Sequence, residues 1–198
     1  MAEQLIGRVL RSSTIGYACG TRSNELDTPS FGAFVRTFSE ENDSASDVIG
    51  LIYAIRIDDD PLVRQLIMAN QLNPVTLRDQ RENRMIPVEI NVVNIGYRVN
   101  GDVLHNMPPR PPRSLDPVYI CEDDCIRDFT TRFDFFRLVL NTTEVPAEEL
   151  LAAALKKAAA ARPPRERHDF LVSAGRRLAQ LLSHDLARLN HLLRLIKP

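Results

Sequence analysis

The order of apolar and polar residues divides the chain into a β-like first part and a helical last part. Ile49, Leu51, Tyr53, Ile55 and Ile57 alternate with Gly50, Ile52, Ala54 and Arg56, a period of two that predicts a strand. Shorter β-like runs precede it at residues 5–10, 15–20 and 31–38, and the polar, acidic stretch 39–47 reads as an exposed loop. Further on, Ile86, Val88, Ile90 and Val92 are apolar on one parity, while Val93, Ile95, Tyr97 and Val99 are apolar on the other. A switch near residues 91–94 predicts a bulge in a long, coiled strand. Asn100-Gly101 has the composition of a two-residue hairpin turn, and Val118-Tyr119-Ile120-Cys121 reads as a closing strand. Gly7 and Gly50 fall inside strands, where a small barrel needs bends or close backbone approach.

Helical periods take over elsewhere. Asp60 is a good N-cap and Pro61 a good first residue for a short helix over 61–70, followed by a polar connection to 85. Residues 123–141 read as helical, anchored by Phe129, Phe133, Phe136, Leu138, Val139 and Leu140. The next helix has Thr143 or a neighbour as its cap and Pro146 near its start. Its body is rich in alanine, and its charge order, Glu148 and Glu149 early and Lys156 and Lys157 late, suits the helix dipole. Residues 168–196 read as one long amphipathic helix, with Leu171, Leu178, Leu182, Leu186, Leu189, Leu193 and Ile196 on its stripe and Arg176, Arg177, Arg188 and Arg194 largely off it. Those leucines must be buried, and the alanine-rich helix is a narrow partner. Two destinations are open: another subunit, or a hairpin folded back on the barrel. Leu171, Leu178, Leu182, Leu186, Leu189 and Leu193 are therefore the candidate interaction residues. The expected class is α+β: a small closed or nearly closed β-barrel over 1–122, with a helical insertion near 61–85, followed by a helical region over 123–198.

Composition narrows the function. Of 198 residues, 44% are hydrophobic and 26% charged, as in soluble globular proteins. No apolar run is long enough for a membrane span and no secretory signal is visible, so a cytoplasmic protein away from membranes is expected. Cys19, Cys121 and Cys125 make no disulfide framework and read as free thiols. Residues 145–198 carry ten Lys and Arg against five Asp and Glu, whereas residues 1–144 carry fifteen against twenty-one. A basic tail thus follows an acidic body, a split that favours self-association or an anionic partner. All three lysines, Lys156, Lys157 and Lys197, lie in the tail, and none follows a glycine. A phosphate-binding loop of the Walker type, whose lysine must follow a glycine to reach the terminal phosphates, is excluded.

Candidate chemistry is sparse. Asp58-Asp59-Asp60 and Glu122-Asp123-Asp124 lack the spaced ligands and glycine of a calcium loop and read as turns ahead of helices. The cysteines and His105, His168, His184 and His191 do not form the close pairs of a zinc site, although His184 and His191 are spaced to share a helix face. Gly-x-Ser-x-Gly, His-Glu-x-x-His and Gly-x-Gly-x-x-Gly motifs do not occur. No catalytic residue, cofactor-binding residue or metal ligand is assigned, and no cofactor is expected. The proline-rich stretch 108–117 has the composition of a ligand for an SH3-like groove, but strand candidates on both sides favour a stiff crossover.

Several of these segments, taken in order, resemble one family. Ile6-Gly7-Arg8-Val9, the strand over 48–55, Ile95-Gly96-Tyr97, the Asn100-Gly101 turn, Pro108-Pro109-Arg110-Pro111-Pro112-Arg113 and Pro117-Val118-Tyr119 are similar to the HAS-barrel, the N-terminal β-barrel of HerA-type DNA translocases and ATP synthase subunits. The resemblance covers about residues 5–140. The family usually has a glycine where Leu115 or Asp116 stands, the 61–85 insertion is unusual for it, and the ATPase motor that follows the barrel in HerA proteins has no counterpart here. The resemblance implies ring assembly and partner docking in DNA end processing, without catalysis by the barrel. The expectation is a non-enzymatic homo-oligomer that docks on a ring ATPase or nuclease. The alternative is a small barrel that binds nucleic acid weakly through its basic C-terminal tail. Phe31, Phe34, Tyr53 and Tyr97 would supply its aromatics, though they sit at core parity and the acidic body repels phosphate. A third reading is an enzyme whose cleft assembles from distant residues.

Overall fold

Among the described residues seven strands form: β1 (Leu5–Ser12), β2 (Gly16–Arg22), β3 (Phe34–Glu41), β4 (Ser44–Ile57), β5 (Pro87–Val99), β6 (Asp102–Leu104) and β7 (Pro117–Ile120). They belong to a computed structural model that describes residues 4–22, 29–41, 44–57, 68 and 87–197. Every pairing is antiparallel. β1 lies between β2 and β7, β7 pairs β3, β3 pairs β4, β4 pairs β5, and β5 returns to β2, closing a six-stranded barrel. β6 is a short outer strand on the end of β5, joined to it by Asn100 and Gly101, whose φ angles are 50° and 89°. Positive φ at both central residues is what a two-residue turn matching the strand twist demands.

The expected bulge in β5 is present, slightly later than its sequence position suggested. Ile49 pairs Gly96 and Gly50 pairs Asn94, which leaves Ile95 unopposed. Val88, Ile90 and Val92 join the cluster inside the barrel, and Val93 and Ile95 join a second cluster outside it. The switch in apolar parity is therefore a change of core as well as a bulge. Gly7 and Gly50 mark close approaches. A Cβ on Gly7 would stand 2.4 Å from the Gly20 carbonyl oxygen, and one on Gly50 would stand 2.4 Å from Val92 Cγ1. The stretch expected as an acidic loop at 39–47 is mostly paired strand, since β3 runs to Glu41 and β4 begins at Ser44. There the β3–β4 hairpin projects past its pairings with β7 and β5, so main-chain bonds hold it although its sequence supplies no apolar alternation. The helix expected over 61–70, Asp58-Asp59-Asp60 and the connection to 85 lie outside the described residues, apart from Met68.

Five helices follow among the described residues: α1 (Asp123–Phe129), α2 (Phe136–Leu140), α3 (Ala147–Ala160), α4 (Pro164–Leu181) and α5 (Leu186–Ile196). The single helical stretch expected over 123–141 is split. The buried Thr130 hydroxyl donates to the Ile126 carbonyl at 2.6 Å at the end of α1, and the turn that follows brings Phe135 into the core. Pro146 stands at the start of α3 as expected, immediately before Ala147, and no side chain caps that helix. The long helix expected over 168–196 is also two helices, and the first begins earlier, at Pro164. Asp185 causes the break: its carboxylate accepts the Arg188 N–H at 3.0 Å, capping a new helix.

The alanine-rich α3 is the hub of the helical region. It packs against α1, α2, α4, α5 and the outside of β4. Its small side chains are why it can take so many neighbours: Leu150, Leu151, Ala154, Leu155 and Ala158 are all fully buried. A single core runs from Phe34, Ile49, Leu51, Val93 and Ile95 on the barrel through Phe129, Phe135 and Phe136 to Leu178, Leu192 and Ile196. The helical region is thus built onto the barrel wall. Arginine forks tie its loops together. Arg162 donates to the Ala158 carbonyl and the Thr130 hydroxyl and lies 3.7 Å over the Phe170 ring, while Arg188 bonds Glu148 and the Leu140 carbonyl. No helix among the described residues is long and apolar enough to cross a membrane.

Candidate interaction surface

The six leucines singled out as interaction residues divide sharply. Leu178, Leu182 and Leu189 are buried in the chain's own core, and Leu171 packs partly against it. Leu186 and Leu193 remain 64% and 36% exposed. The break at Asp185 explains the division. Restarting the helix there turns Leu189, Leu192 and Ile196 inward and leaves Leu186 and Leu193, two turns apart, on the outer face of α5. Leu193 borders a shallow depression with Asn190, Arg194 and Lys197. The outer face of α5 is therefore apolar along one line and basic at its C-terminal end. Val172 and Leu181 on α4 are also about two-fifths exposed, at 38% each.

On the barrel, helices cover the outside of β4 and β5. Leu5, Leu10 and Ile15 on β1 and its turn are exposed by about half or more, at 48%, 51% and 64%. The proline-rich stretch runs alongside β1 as a crossover. The Ser12 hydroxyl donates to the Pro112 carbonyl at 2.6 Å, Arg8 donates to the Leu115 carbonyl, and the Leu115 N–H donates to the Val9 carbonyl. The turn before β7 places Leu115 at φ 72°, in the left-handed region, where the resemblance leads one to look for glycine.

Aromatic positions also sort differently from their sequence parity. Phe34 is buried, Tyr53 and Tyr97 are half-buried, and Phe31 is exposed in a turn. The pair that sequence reasoning passed over is Phe38 and Tyr119, neighbours on the outside of β3 and β7 with ring centroids 6.1 Å apart. Arg36 lies over both rings, at 5.6 and 5.7 Å, and pairs with Asp47 at 3.5 Å. Their adjacency depends on the β3–β7 register, which pairs Arg36 with Tyr119 across 83 positions of sequence.

A cavity of about 470 Å³ opens between the β1–β2 turn, the outside of β4–β5 and the link from α2 to α3. Arg11, Tyr53, Arg56, Asn91, Thr142 and Glu144 are among its walls. Arg11 makes two 2.6 Å bonds to Glu89, and these hold the Glu89 carboxyl below its ordinary range. The Ser12 and Ser13 hydroxyls in this wall donate to the Pro112 and Gly16 carbonyls.

The titratable groups flagged by the sequence are dispersed. Among the described residues no three His, Cys, Asp or Glu side chains gather as a metal site would require. His184 and His191 fall on either side of the helix break, and His191 faces Glu149 at 3.6 Å. His105 is buried between Phe129 and Phe135, with Nε2 3.0 Å from the Phe129 carbonyl. Burial lowers its pKa. Cys19 lies inside the barrel, where burial pushes its thiol up to about 12. Asp124 pairs with Arg127 one turn along α1, as an exposed helix start would. Compared with models of known protein families and with curated proteins, the chain matches none.

Proposed function

We propose that the chain is a non-enzymatic barrel module that assembles with copies of itself and docks on a partner. In keeping with its resemblance to HAS-barrels, that partner is a ring ATPase or nuclease of DNA processing in the cytoplasm. The observation that carries this reading is the outer face of α5, where Leu186 and Leu193 stay exposed beside Arg194 and Lys197. Its occupant is a second copy of the chain. The tail that bears this face is basic and the preceding 144 residues are acidic, so the two ends of neighbouring copies attract. A contact between unlike ends repeats from copy to copy and closes into a ring when the rotation allows. The closed barrel supports the same reading, because each of its six strands is paired on both sides over part of its length, which limits the edge open to uncontrolled association.

Light scattering on the full chain tests the proposal. The wild type is expected as a defined oligomer that loosens as salt rises, and Leu186→Glu with Leu193→Glu is expected as a folded monomer. A monomeric wild type at low salt, or an oligomer unchanged by the double substitution, rejects it. Deleting 145–198 would not be a fair test, since α3 forms the centre of the core.

Arg36, Phe38 and Tyr119 favour a second reading, a nucleic-acid-binding barrel whose outer rings stack on bases. Binding of a single-stranded oligonucleotide that falls steeply with salt and is lost in Tyr119→Ala would support it; no binding at low salt removes it.

A further inference from the structure

The cavity between the β1–β2 turn, the outside of β4–β5 and the link from α2 to α3 has an unpaired cation on its wall. Tyr17 and Cys19 join the cluster inside the barrel, so Gly16 and Ala18, which alternate with them, face out. Gly16 admits no side chain, since a Cβ would stand 2.3 Å from the Val92 carbonyl oxygen, and Ala18 adds only a methyl. β2 is therefore a low floor between β1 and β5. Arg11 crosses it to bond both carboxylate oxygens of Glu89 at 2.6 Å, and Glu89 Oε1 also accepts the Asn91 amide N–H at 3.0 Å. On β4 a bulge leaves Tyr53 unopposed between the Ile52–Val92 and Ala54–Asn91 pairs, and Tyr53 packs on the outer side. Arg56 follows on that side, directly opposite Glu89. The carboxylate across from Arg56 is thus held by Arg11, and among the described residues Arg56 has no other partner.

We infer that this cavity is a ligand site for a single nucleotide unit, with Arg56 on the phosphate, Tyr53 beside the base, and Asn91 and Glu144 accepting from its amino and hydroxyl groups. The volume of about 470 Å³ lies within the range of small-ligand sites, roughly 300–1,000 Å³. A guanidinium without a carboxylate calls for an anion, and its planar fork suits the oxygens of a phosphate. A bare phosphate leaves the rest of the wall unexplained. Asn91 is only 6% exposed and its amide N–H already serves Glu89, so it presents its carbonyl oxygen as an acceptor. Glu144, from the link between α2 and α3, is an acceptor as well. The ligand must therefore carry donors in addition to its anion. Tyr53 adds a ring, on which any base stacks. The Ser13 hydroxyl takes no part, because it accepts the Ile15 and Gly16 N–H groups and donates to the Gly16 carbonyl. Anion, donors and a flat ring together are the chemistry of a nucleotide, either free or at the end of a strand. The site is separate from the Phe38–Tyr119 cluster, which belongs to β3 and β7, whereas the cavity is lined from β1, β2, β4, β5 and the helical link.

Titration calorimetry of the full chain tests the inference with adenosine, guanosine, cytidine and uridine 5′-monophosphates and with a short 5′-phosphorylated DNA strand. At least one of these probes is expected to bind with a Kd below about 1 mM. Arg56→Gln should weaken that binding at least about tenfold, as the loss of a charge-assisted bond to phosphate does. The matching nucleoside, which lacks the phosphate, should bind more weakly by a similar factor, and inorganic phosphate in excess should not displace the nucleotide. A strand that binds more tightly than the mononucleotides assigns the site to strand ends; equal or weaker binding assigns it to free nucleotides, and either result upholds the site. Binding by none of the probes overturns the inference, and so does displacement by inorganic phosphate alone. Binding that persists in Arg56→Gln also overturns it, and its loss in Tyr119→Ala would then place the nucleotide on the β3–β7 face. Arg56 is exposed, so the variant should keep the wild-type thermal midpoint. The nucleoside and phosphate measurements on the wild type decide the matter even if it does not.

Discussion

The inside of the barrel and the outside of its β4–β5 wall are both dry, but they are filled by different kinds of side chain. Ile6, Val9, Val35, Ile52, Val88, Ile90, Val92 and Val118 make the interior mostly aliphatic, with Tyr17 as the one ring in that cluster. The outer core takes Phe34, Phe129, Phe135 and Phe136, in edge contacts 5.0–6.5 Å between centroids, with the leucines and alanines of the helices. A closed ring of six strands leaves room inside for branched aliphatic residues, whereas the gap between a twisted wall and a helical layer is deeper and suits rings. The difference also shows which parts are free to meet another molecule. The helices cover much of that wall, and among the described residues exposed apolar or aromatic groups lie on β1, at the Arg36–Tyr119 cluster and on the outer face of α5.

Breaking the outer core should have the largest effect. Phe135→Ala should cost about 3–5 kcal/mol, and thermal unfolding should remain one transition, because the loss is felt by barrel and helices together. A second, unshifted transition would mean that the barrel stands alone. Gly50→Ala acts at the seam between the two cores, where a Cβ meets Val92 Cγ1 at 2.4 Å and the Val93 carbonyl oxygen at 2.8 Å. It should cost about 1–3 kcal/mol in urea unfolding.

Acid should act on stability first through His105, held in the outer core between Phe129 and Phe135. Burial lowers the His105 pKa, so the folded chain binds this proton less readily than the unfolded chain does. Stability should therefore fall as pH drops below about 6.5, the ordinary histidine value, and urea midpoints between pH 8 and 5 should show it. His105→Gln should flatten that interval. Glu89, drawn down by Arg11, contributes in a lower window: its share is present above its unfolded pKa and lost as pH falls through the depressed folded one.

Smaller effects concern single turns. Asp185→Ala removes the cap that splits α4 from α5 and should cost about 1 kcal/mol. Leu115→Gly should stabilise the chain slightly, by about 0.5 kcal/mol. A left-handed leucine costs about 1–2 kcal/mol and glycine's extra backbone entropy returns part of the gain. Because Leu115 is 68% exposed, little packing is lost, and a lower thermal midpoint would contradict the reading of this turn.

The barrel was legible because its information is local: the alternation along β4, the two parities of β5, the Asn100-Gly101 turn and the glycines at close approach are all written in short windows. The helical region was less so. The leucine spacing from 171 to 196 runs almost unbroken through Asp185, and a single capping bond outweighs it. The alanine-rich α3 looked too narrow to receive the leucines, yet its narrowness lets a wall and four helices converge on it. The Phe38–Tyr119 pair depends on the strand register.

Native-state hydrogen exchange tests most directly the claim that barrel and helices are one cooperative unit with only their outer faces free. Slowly exchanging amides in α3, at Leu151 and Leu155, should open with the same free energy as those of β4 and β5, at Leu51 and Ile90, and both should equal the global value from urea unfolding. Helical amides that open at distinctly lower free energy while the barrel stays protected would contradict it.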